Sequence, residues 1–307
     1  MRTTRLAPSP TGALHLGNAR TFLVNWLLAR QAGWKILLRI EDLDGPRVKP
    51  GADKHAIADL RWLGLDWDGE PLYQSQQTDR YAAAVRKLLS AELAYPCVCT
   101  RREAELASSA PHADDQSAVY PGTCRGKFSS VEQPRAASGR EPAIRFQVPD
   151  GDVTFTDEFA GPRKIPMERL GDFVIAKSDG TAAYQLAVVL DDASAGVTDV
   201  VRGDDLLDSA ARQILLYKAL GLERSIPRFC HLPLVVGTDG KRLAKRHGDT
   251  RLSHYREKGI AAHRILGLLG QWCGIDCGQT TNLTELLKRF ELQRFPRHRI
   301  IFDPSSF

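Results

Sequence analysis

The sequence predicts an α/β protein in which a parallel sheet is split by a cysteine-bearing insertion and followed by a small helical domain. The first observation is a strand, helix, strand order at the start of the chain. Residues 1–8 precede apolar residues at helical spacing up to Gly33, and Lys35–Ile40 is a continuous apolar run, as in a buried parallel strand. The same order returns at VTDVVRG, and the composition shifts between the two regions.

The remaining elements follow from apolar periodicity and turn residues. We expect helices over residues 56–63 and 79–93. AIRFQV and VTFTD are expected to be strands, and FVIAKSDGTAAYQLAV a hairpin around its Asp-Gly turn. VTDVVRG is expected to be a strand, residues 207–218 a helix, and the chain from Lys241 onward mainly helical.

These elements divide the chain into four predicted parts. They are the first half of the sheet domain (1–90), the insertion (91–180), the second half of the sheet domain (181–240), and a basic loop with the helical domain (241–307).

The composition is that of a folded protein of ordinary type. The 43% hydrophobic and 26% charged residues exclude disordered, collagen-like and coiled-coil classes. A net charge of +5 permits an anionic partner without requiring one. The longest apolar stretches, such as FLVNWLLA, are far shorter than a bilayer span, and the N-terminus has no apolar signal core. We therefore expect a cytoplasmic protein that does not enter a membrane.

Residues 8–18 lie between the first strand and the first helix. Ligands of a doubly wound sheet bind here, because the strand's carboxyl end and the helix N-terminus both point to this place. Gly12 and Gly17 let backbone N–H groups approach a phosphate, and His15 can donate a hydrogen bond to a phosphoryl oxygen. A lone histidine is more often simply packed, so this motif alone leaves both interpretations open.

Residues 241–248 form a second, cationic motif. In KRLAKRHG, four of the first six residues are cations, and the motif follows an Asp-Gly turn. A flexible cationic loop can close over a triphosphate and stabilise the charge that builds up during phosphoryl or adenylyl transfer. Alone, such a cluster is more often a solvated face or a nucleic-acid contact. The two motifs together predict a nucleotide site.

The two motifs resemble the signatures of class I aminoacyl-tRNA synthetases. HLGN is similar to the HIGH signature and RLAKR to KMSKS, while RLAPSPTGALHLGNART, LRIEDLD, LDWD and VVRGDDLL resemble the glutamyl-tRNA synthetase branch. Asn18 replaces the last His of HIGH, and Ala244 replaces a small hydroxyl residue of KMSKS. The resemblance implies a Rossmann-like sheet and an ATP site formed by His15, Gly17, Asn18 and Lys245, with His15 and Lys245 catalytic.

A site for glutamate needs fixed cations for two carboxylates and an anionic group for the ammonium. Arg5 and Arg202 can each bind a carboxylate in bidentate fashion, and Glu41 can hold the ammonium. A single arginine more often forms a surface salt bridge, but these residues all lie at predicted strand or loop ends. By resemblance, the glutamate site comprises Arg5, Leu6, Ala7, Pro8, Ser9, Glu41, Tyr184 and Arg202.

Three of the six cysteines lie in the insertion: Cys97, Cys99 and Cys124. Buried free thiols and a zinc site both fit this pattern, and the insertion's low hydrophobicity favours zinc. Chemistry alone makes His112 the obvious fourth ligand. Cys-x-Cys followed by Tyr-x-x-x-Cys instead resembles the zinc site of the glutamyl-queuosine tRNA(Asp) synthetases, which implies Tyr120. The other cysteines are expected to be core or incidental thiols: Cys230, Cys273 and Cys277.

The resemblance also implies a reaction. A chain of this length has an expected diameter of about 50 Å, so we expect it to contact one end of a tRNA and to have no anticodon-binding domain. In the glutamyl-queuosine family the contact is with the anticodon stem-loop of tRNA(Asp), whose queuosine receives activated glutamate. We expect ATP with Mg²⁺, L-glutamate, one structural Zn²⁺ and a monomer. Two alternatives stay open: a truncated glutamyl-tRNA synthetase that charges a tRNA 3′ end, and a catalytically idle RNA-binding paralogue.

Overall fold

The computed structural model describes residues 1–100, 102–103, 119–241, 243 and 249–303. The strands are β1 (Thr3–Leu6), β2 (Lys35–Ile40), β3 (Leu72–Tyr73), β4 (Ala94–Cys97), β5 (Ala143–Phe146), β6 (Asp152–Asp157), β7 (Gly161–Pro166), β8 (Phe173–Ala176), β9 (Asp199–Gly203), β10 (Arg228–Leu232), β11 (Val235–Val236) and β12 (Ile300–Ile301). The α-helices are α1 (Leu16–Gln31), α2 (Ala52–Trp62), α3 (Thr78–Ser90), α4 (Glu132–Ser138), α5 (Met167–Leu170), α6 (Tyr184–Ser194), α7 (Leu207–Leu220), α8 (Leu252–Glu257), α9 (Ala262–Trp272) and α10 (Leu283–Arg289).

A parallel sheet forms the centre of the molecule. β1 pairs with β2 and β2 with β3, and on the other side β9 pairs with β10 and β10 with β6, all in parallel. The two halves adjoin where the backbone N–H of Thr198 donates to the Thr3 carbonyl at 2.9 Å. Helix α1 crosses between β1 and β2 and packs against β1 and β9. The predicted α/β order is therefore confirmed, and the carboxyl ends of β1, β2 and β9 lie at one edge of the sheet.

The inserted region contains an antiparallel sheet with the strand order β4, β5, β8. The VTFTD segment, expected to be a strand of the insertion, is β6. It forms an antiparallel hairpin with β7 and extends the central sheet through Phe229 of β10, opposite Asp157. One hairpin of the inserted region is thus part of the main sheet.

The predicted hairpin over FVIAKSDGTAAYQLAV is wrong in its second half. The turn itself forms, since the Lys177 N–H donates to the Thr181 carbonyl at 2.8 Å. The chain then begins helix α6 at Tyr184. Residues 186–192 are all buried, and residues 186–190 form a continuous apolar run. The periodicity of such a short run does not distinguish a strand from a buried helix.

The described residues form two large apolar cores. One core joins α1 and the first two strands to the last helices, and the other packs α6 and α7 against β5, β6 and β8. β12 adds to β11 in parallel, which places the end of the described chain beside the loop after β10. Within the described residues, no helix is both long enough and apolar enough to cross a membrane.

Candidate active site

A cavity of about 540 Å³ opens at the carboxyl ends of β1, β2 and β9, and we call it the active-site cavity. Seven of the eight residues predicted to bind glutamate line it: Arg5, Ala7, Pro8, Ser9, Glu41, Tyr184 and Arg202. The eighth, Leu6, does not, because its side chain is fully buried in the core. The predicted nucleotide residues His15, Gly17 and Asn18 also line the cavity. Lys245 lies outside the described residues.

His15 is the N-cap of α1, and its Nδ1 accepts a hydrogen bond from the backbone N–H of Asn18 at 3.4 Å. A neutral imidazole that accepts at Nδ1 carries its proton on Nε2, so His15 can donate from Nε2. Gly17 makes this arrangement possible. A Cβ at Gly17 would lie 3.2 Å from the His15 ring, closer than ordinary van der Waals contact.

The chain that follows the basic segment lies beside the His15 loop. The Leu16 N–H donates to the Thr250 carbonyl at 3.0 Å, and the Leu252 N–H donates to the Leu14 carbonyl at 2.8 Å. On the other side, the Gly237 N–H donates to the Lys241 carbonyl at 2.8 Å, and Leu243 is buried in the core around α1. Residues 250–252, just after the second predicted nucleotide motif, are therefore neighbours of the first, and Arg242 and residues 244–248 lie outside the described part of the chain.

Buried ion pairs lie beneath the cavity. Arg5 Nε is 3.2 Å from Asp192 Oδ1, Arg39 also donates to Asp192, and Arg39 Nη2 donates to Glu41 Oε1 at 3.0 Å. Burial acts to raise the pKa of Asp192, but the two guanidinium groups outweigh it and hold that pKa below its usual range. For Glu41 burial dominates and raises the pKa, so a bound ammonium would favour its ionised form.

Arg202 is held differently. Its Nε lies 2.9 Å from His231 Nε2, and its Nη2 donates to the Leu206 carbonyl at 3.3 Å. Its Nη1 is buried and has no hydrogen-bond partner among the described residues. Burial lowers the pKa of the guanidinium. Tyr184, 37% exposed, lies at the opening of the same cavity. A ligand carboxylate would satisfy the unused donor of Arg202.

Sequence reasoning missed several residues of this site. Arg39 and Asp192 complete the buried ion pairs, and Lys177 lines the cavity while donating to the Leu43 carbonyl at 3.0 Å. Asp192 could not be found, because it lies beyond the predicted hairpin and its partner Arg5 is 187 positions away in the chain. Arg39 carried a signal, since it is a charged residue inside an otherwise apolar buried strand.

The predicted zinc ligands come together at the end of β4, and we call Cys97, Cys99, Tyr120 and Cys124 the cysteine cluster. The three thiols lie within 4.8 Å of one another. Tyr120 Oη is 3.4 Å from Cys97 Sγ and 3.5 Å from Cys99 Sγ, and Cys99 Sγ is 3.5 Å from Cys124 Sγ. Around a tetrahedral zinc, sulfur–oxygen and sulfur–sulfur edges of about 3.5 and 3.8 Å are expected. These donors therefore fit a zinc ion.

The surroundings of the cysteine cluster also suit anionic ligands. Arg145 Nε donates to Cys97 Sγ at 3.3 Å, and its guanidinium carbon lies 3.7 Å from the centre of the Tyr120 ring. His112, the alternative fourth ligand, lies outside the described residues. The other thiols are not part of this cluster. Cys230 and Cys273 are buried in the core around α1, where burial raises the pKa of Cys273 to about 12, and Cys277 packs against the same core.

Comparison with known proteins assigns the chain to a family. Residues 2–299 match the family described as tRNA synthetases class I (E and Q), catalytic domain. The chain belongs to this family of class I synthetases. The predicted membership of the class I synthetases is thereby confirmed.

Curated relatives narrow the placement within the class I synthetases. A glutamyl-Q tRNA(Asp) synthetase of Symbiobacterium thermophilum is 47% identical over 96% of this chain and 94% of its own length. One of Rhodopirellula baltica is 45% identical over 97% and 96%. The glutamate–tRNA ligase 2 of Syntrophus aciditrophicus is 41% identical, and the match spans 98% of this chain but 64% of the ligase.

Solved structures agree with this placement. The crystal structure of a glutamate tRNA ligase from Elizabethkingia meningosepticum, in complex with its amino acid, superposes with a TM-score of 0.81 at 28% identity. The match covers 99% of this chain and 68% of that one. The protein is therefore a ligase of the class I aminoacyl-tRNA synthetase type, with the parallel sheet and flanking helices of that fold.

Proposed function

We propose that this class I synthetase activates L-glutamate with ATP and transfers it to queuosine at the wobble position of tRNA(Asp). In the first step a glutamate carboxylate oxygen attacks the α-phosphorus of ATP, which forms glutamyl-adenylate and releases pyrophosphate. In the second step a hydroxyl of the queuosine ring attacks the acyl carbon, which forms an ester and releases AMP. The proton of that hydroxyl is released to water, and no covalent enzyme intermediate is needed because the adenylate already carries the activated acyl group.

The charge of the active-site cavity carries the glutamate half of this proposal. Three guanidinium groups, on Arg5, Arg39 and Arg202, lie among two carboxylates, on Asp192 and Glu41. Of these groups, Arg5 and Arg202 line the cavity and can bind the carboxylates of glutamate, and Glu41 lines it and can bind the ammonium. We assign the free Nη1 of Arg202 to a glutamate carboxylate and Glu41 to the ammonium, with Arg5, Ala7, Pro8, Ser9 and Tyr184 as the other walls.

The nucleotide half is assigned to the neighbouring motifs. His15 Nε2–H, the N-terminus of α1 with Gly17 and Asn18, and Lys245 would bind ATP and stabilise the negative charge that develops on its phosphates. Mg²⁺ is expected to accompany the triphosphate. The backbone pairing of residues 14–16 with residues 250–252 supports this arrangement, because it brings the chain just after the basic segment to the His15 loop.

For the cysteine cluster we propose one structural zinc, held by Cys97, Cys99, Tyr120 and Cys124. A closed set of four donors leaves no open position for a substrate. The ion would therefore stabilise the predicted insertion, residues 91–180, and take no part in either chemical step.

For the acceptor, the names of the relatives support queuosine. Two relatives named glutamyl-Q tRNA(Asp) synthetase are at least 45% identical to this chain, and each match covers at least 94% of the relative's own length. The anticodon stem-loop of tRNA(Asp) and a monomeric protein complete the proposal. The relatives named glutamate–tRNA ligase, at 41% identity, favour a second candidate function, which is charging of a tRNA 3′ end.

The test supplies labelled glutamate and ATP together with one of three RNAs: queuosine-containing tRNA(Asp), the same tRNA with unmodified guanosine, or tRNA(Glu). Label on the queuosine nucleoside of the first RNA alone is the expected result. Label on tRNA(Glu), or at the 3′ hydroxyl of the unmodified tRNA, would establish the second candidate function. The exchange of pyrophosphate into ATP is measured with glutamate and without RNA. If no exchange occurs, the protein is a catalytically idle paralogue. The Arg202→Met variant is the negative control in each of these measurements.

A further inference from the structure

Arg202 is oriented by a histidine that the proposed reaction does not use. Arg202 and His231 are direct neighbours on the parallel strands β9 and β10. Arg202 Nε lies 2.9 Å from His231 Nε2, and the His231 side chain is completely buried. A guanidinium Nε always carries a hydrogen, so it donates and His231 Nε2 accepts. The Leu206 carbonyl also lies 3.2 Å from Nε2, but the contact from Arg202 is shorter and its hydrogen is fixed, so His231 is neutral with its proton on Nδ1.

Asp157 fixes this tautomer. His231 Nδ1 lies 2.6 Å from Asp157 Oδ2, and the carboxylate accepts the Nδ1 proton. The other oxygen, Oδ1, accepts three backbone N–H groups: from Phe159 at 3.1 Å, Ala160 at 2.8 Å and His231 at 3.1 Å. Asp157 is therefore locked in orientation before any ligand binds, with one oxygen committed to the backbone and the other to the imidazole.

The protonation states agree with this geometry. Burial lowers the pKa of His231, which keeps the imidazole neutral at pH 7. Burial alone would raise the pKa of Asp157, but the hydrogen bonds from His231 and the backbone hold it below its usual range. An ionised carboxylate, a neutral imidazole and a guanidinium thus follow one another from the core to the active-site cavity.

The neutral histidine has an electrostatic consequence for Arg202. Arg5 is held by the Asp192 carboxylate, which offsets its charge directly. The guanidinium of Arg202 is also oriented by a hydrogen bond, but its acceptor, His231 Nε2, is uncharged. The buried Nη1 of Arg202 has no hydrogen-bond partner among the described residues. A carboxylate in the place of His231 would orient the guanidinium but would compete with a substrate carboxylate for its charge.

We infer that Asp157 and His231 are positioning residues for glutamate recognition: Asp157 sets the tautomer of His231, and His231 aims the guanidinium of Arg202 at the substrate carboxylate without neutralising it. This inference rests on the proposed binding of glutamate in the active-site cavity. Neither residue lines that cavity, so both would act only through Arg202.

Asp157→Asn is the sharpest variant, because it changes one atom and reverses the hydrogen-bond direction. The three backbone donors retain the amide oxygen at the Oδ1 position, so the amide NH₂ must face His231 Nδ1. Nδ1 then accepts and the imidazole proton moves to Nε2, where the Leu206 carbonyl at 3.2 Å can accept it, so Arg202 Nε loses its acceptor and faces an N–H group. We expect the KM for glutamate to rise about 10- to 100-fold, with kcat at saturating glutamate and the KM for ATP near the wild-type values.

His231→Gln supplies the matched control. The Oε1 of glutamine can occupy the place of Nε2 and accept from Arg202 Nε, and it has no tautomer for Asp157 to set. We expect this variant to retain a KM for glutamate within a few-fold of the wild type, whereas His231→Leu, which has no acceptor, raises it as Asp157→Asn does. Adding Asp157→Asn to His231→Gln should have little further effect on this KM.

Two readouts keep this inference separate from the proposed function. Pyrophosphate exchange gives the KM values. Long-range ¹H–¹⁵N NMR of the histidine rings reports the tautomer directly: proton on Nδ1 of His231 in the wild type and on Nε2 in Asp157→Asn. Absence of glutamate-dependent exchange in the wild type would overturn the proposed function, while NMR still tests the tautomer. An unchanged KM in Asp157→Asn, an equal effect in the His231→Gln background, or an unchanged tautomer would overturn the inference.

Discussion

The active-site cavity and the cysteine cluster hold their functional groups in place by different means. Beneath the cavity, charged side chains bind one another: Asp192 accepts from Arg5 and Arg39, and Arg39 also binds Glu41. The strands that carry them contribute to both large apolar cores, Leu6 and Ile40 to one and Leu37 to the other. The cysteine cluster belongs to a small apolar group whose buried members are Tyr95 and three of its own ligands.

The difference indicates that only the cysteine cluster would need an ion to hold its donors in place. The cavity has protein partners for most of its charges, so it is preorganised before glutamate or ATP arrives. In the cysteine cluster the donors face one another and have little apolar surface around them. Thiolates so close together repel one another until a cation separates them. Loss of a ligand should therefore be most damaging in the cluster, and loss of a charge should matter most where it leaves a buried partner unpaired.

The largest expected effect is the loss of one cluster ligand. We expect about one zinc per chain in the purified protein and close to none in Cys97→Ser, because structural zinc sites contribute about 10 to 16 kcal/mol in small zinc domains. Metal analysis measures the loss, and limited proteolysis should locate new cleavage within the inserted region. The KM for glutamate should stay near its wild-type value, because the cavity does not depend on the ion.

Matched variants separate ligands from bystanders in this experiment. Cys277→Ser, at a half-buried thiol outside the cluster, should retain full zinc content. Tyr120→Phe should weaken zinc binding, and His112→Ala should not. The opposite pair of results would make His112 the fourth ligand, and zinc retained in Cys97→Ser would refute the metal site altogether.

The next largest effect contrasts two arginines of one cavity. Arg5→Met leaves the buried Asp192 carboxylate with only Arg39, and removing one partner of a buried ion pair costs about 3 to 5 kcal/mol. Arg202→Met breaks no direct ion pair, since Arg202 is bound by a neutral imidazole and a carbonyl and its charge acts on Asp192 only without contact, so we expect a loss of about 1 kcal/mol. Both variants should lose glutamate activation.

Chemical denaturation of the two methionine variants measures this contrast. Equal free energies of unfolding would show that Arg202 is neutralised by a group in the folded protein. Arg5→Lys, which keeps the charge near Asp192, should recover much of the stability lost in Arg5→Met.

The sequence predicted those parts of the site that depend on local order. Arg5, Glu41 and Arg202 were found because each lies at or just beyond the end of an apolar run, and strand ends meet at one edge of a parallel sheet. His231, Asp157 and Asp192 were not found, because their role depends on partners 29, 74 and 187 positions away in the chain. No periodicity encodes such pairings. The cysteine cluster was predictable because its ligand types and spacings are themselves the signal.

The smallest expected effect concerns Asp59, a buried carboxylate outside both sites. Asp59 of α2 is buried 3.1 Å from Arg256 Nη1, but neither of its oxygens accepts a hydrogen bond within the described residues. Burial outweighs the attraction of Arg256 and raises the pKa of Asp59 to about 6, whereas Asp192, with two guanidinium donors, has a lowered pKa. Hydrogen bonds, rather than burial alone, thus decide whether a buried carboxylate remains ionised.

A raised pKa in the folded state has a definite sign for stability. Folding favours protonated Asp59, so its contribution is fully present below about pH 4 and is lost as the pH rises through 6. Asp59→Asn removes this titration. Between pH 5 and 7.5, its free energy of unfolding should therefore increase relative to the wild type by about 1 kcal/mol. Asp276→Asn, at an exposed carboxylate, should show no such trend. A parallel pH dependence for wild type and Asp59→Asn would mean that Asp59 is ionised in the folded protein, and that the Arg256 ion pair alone compensates for its burial.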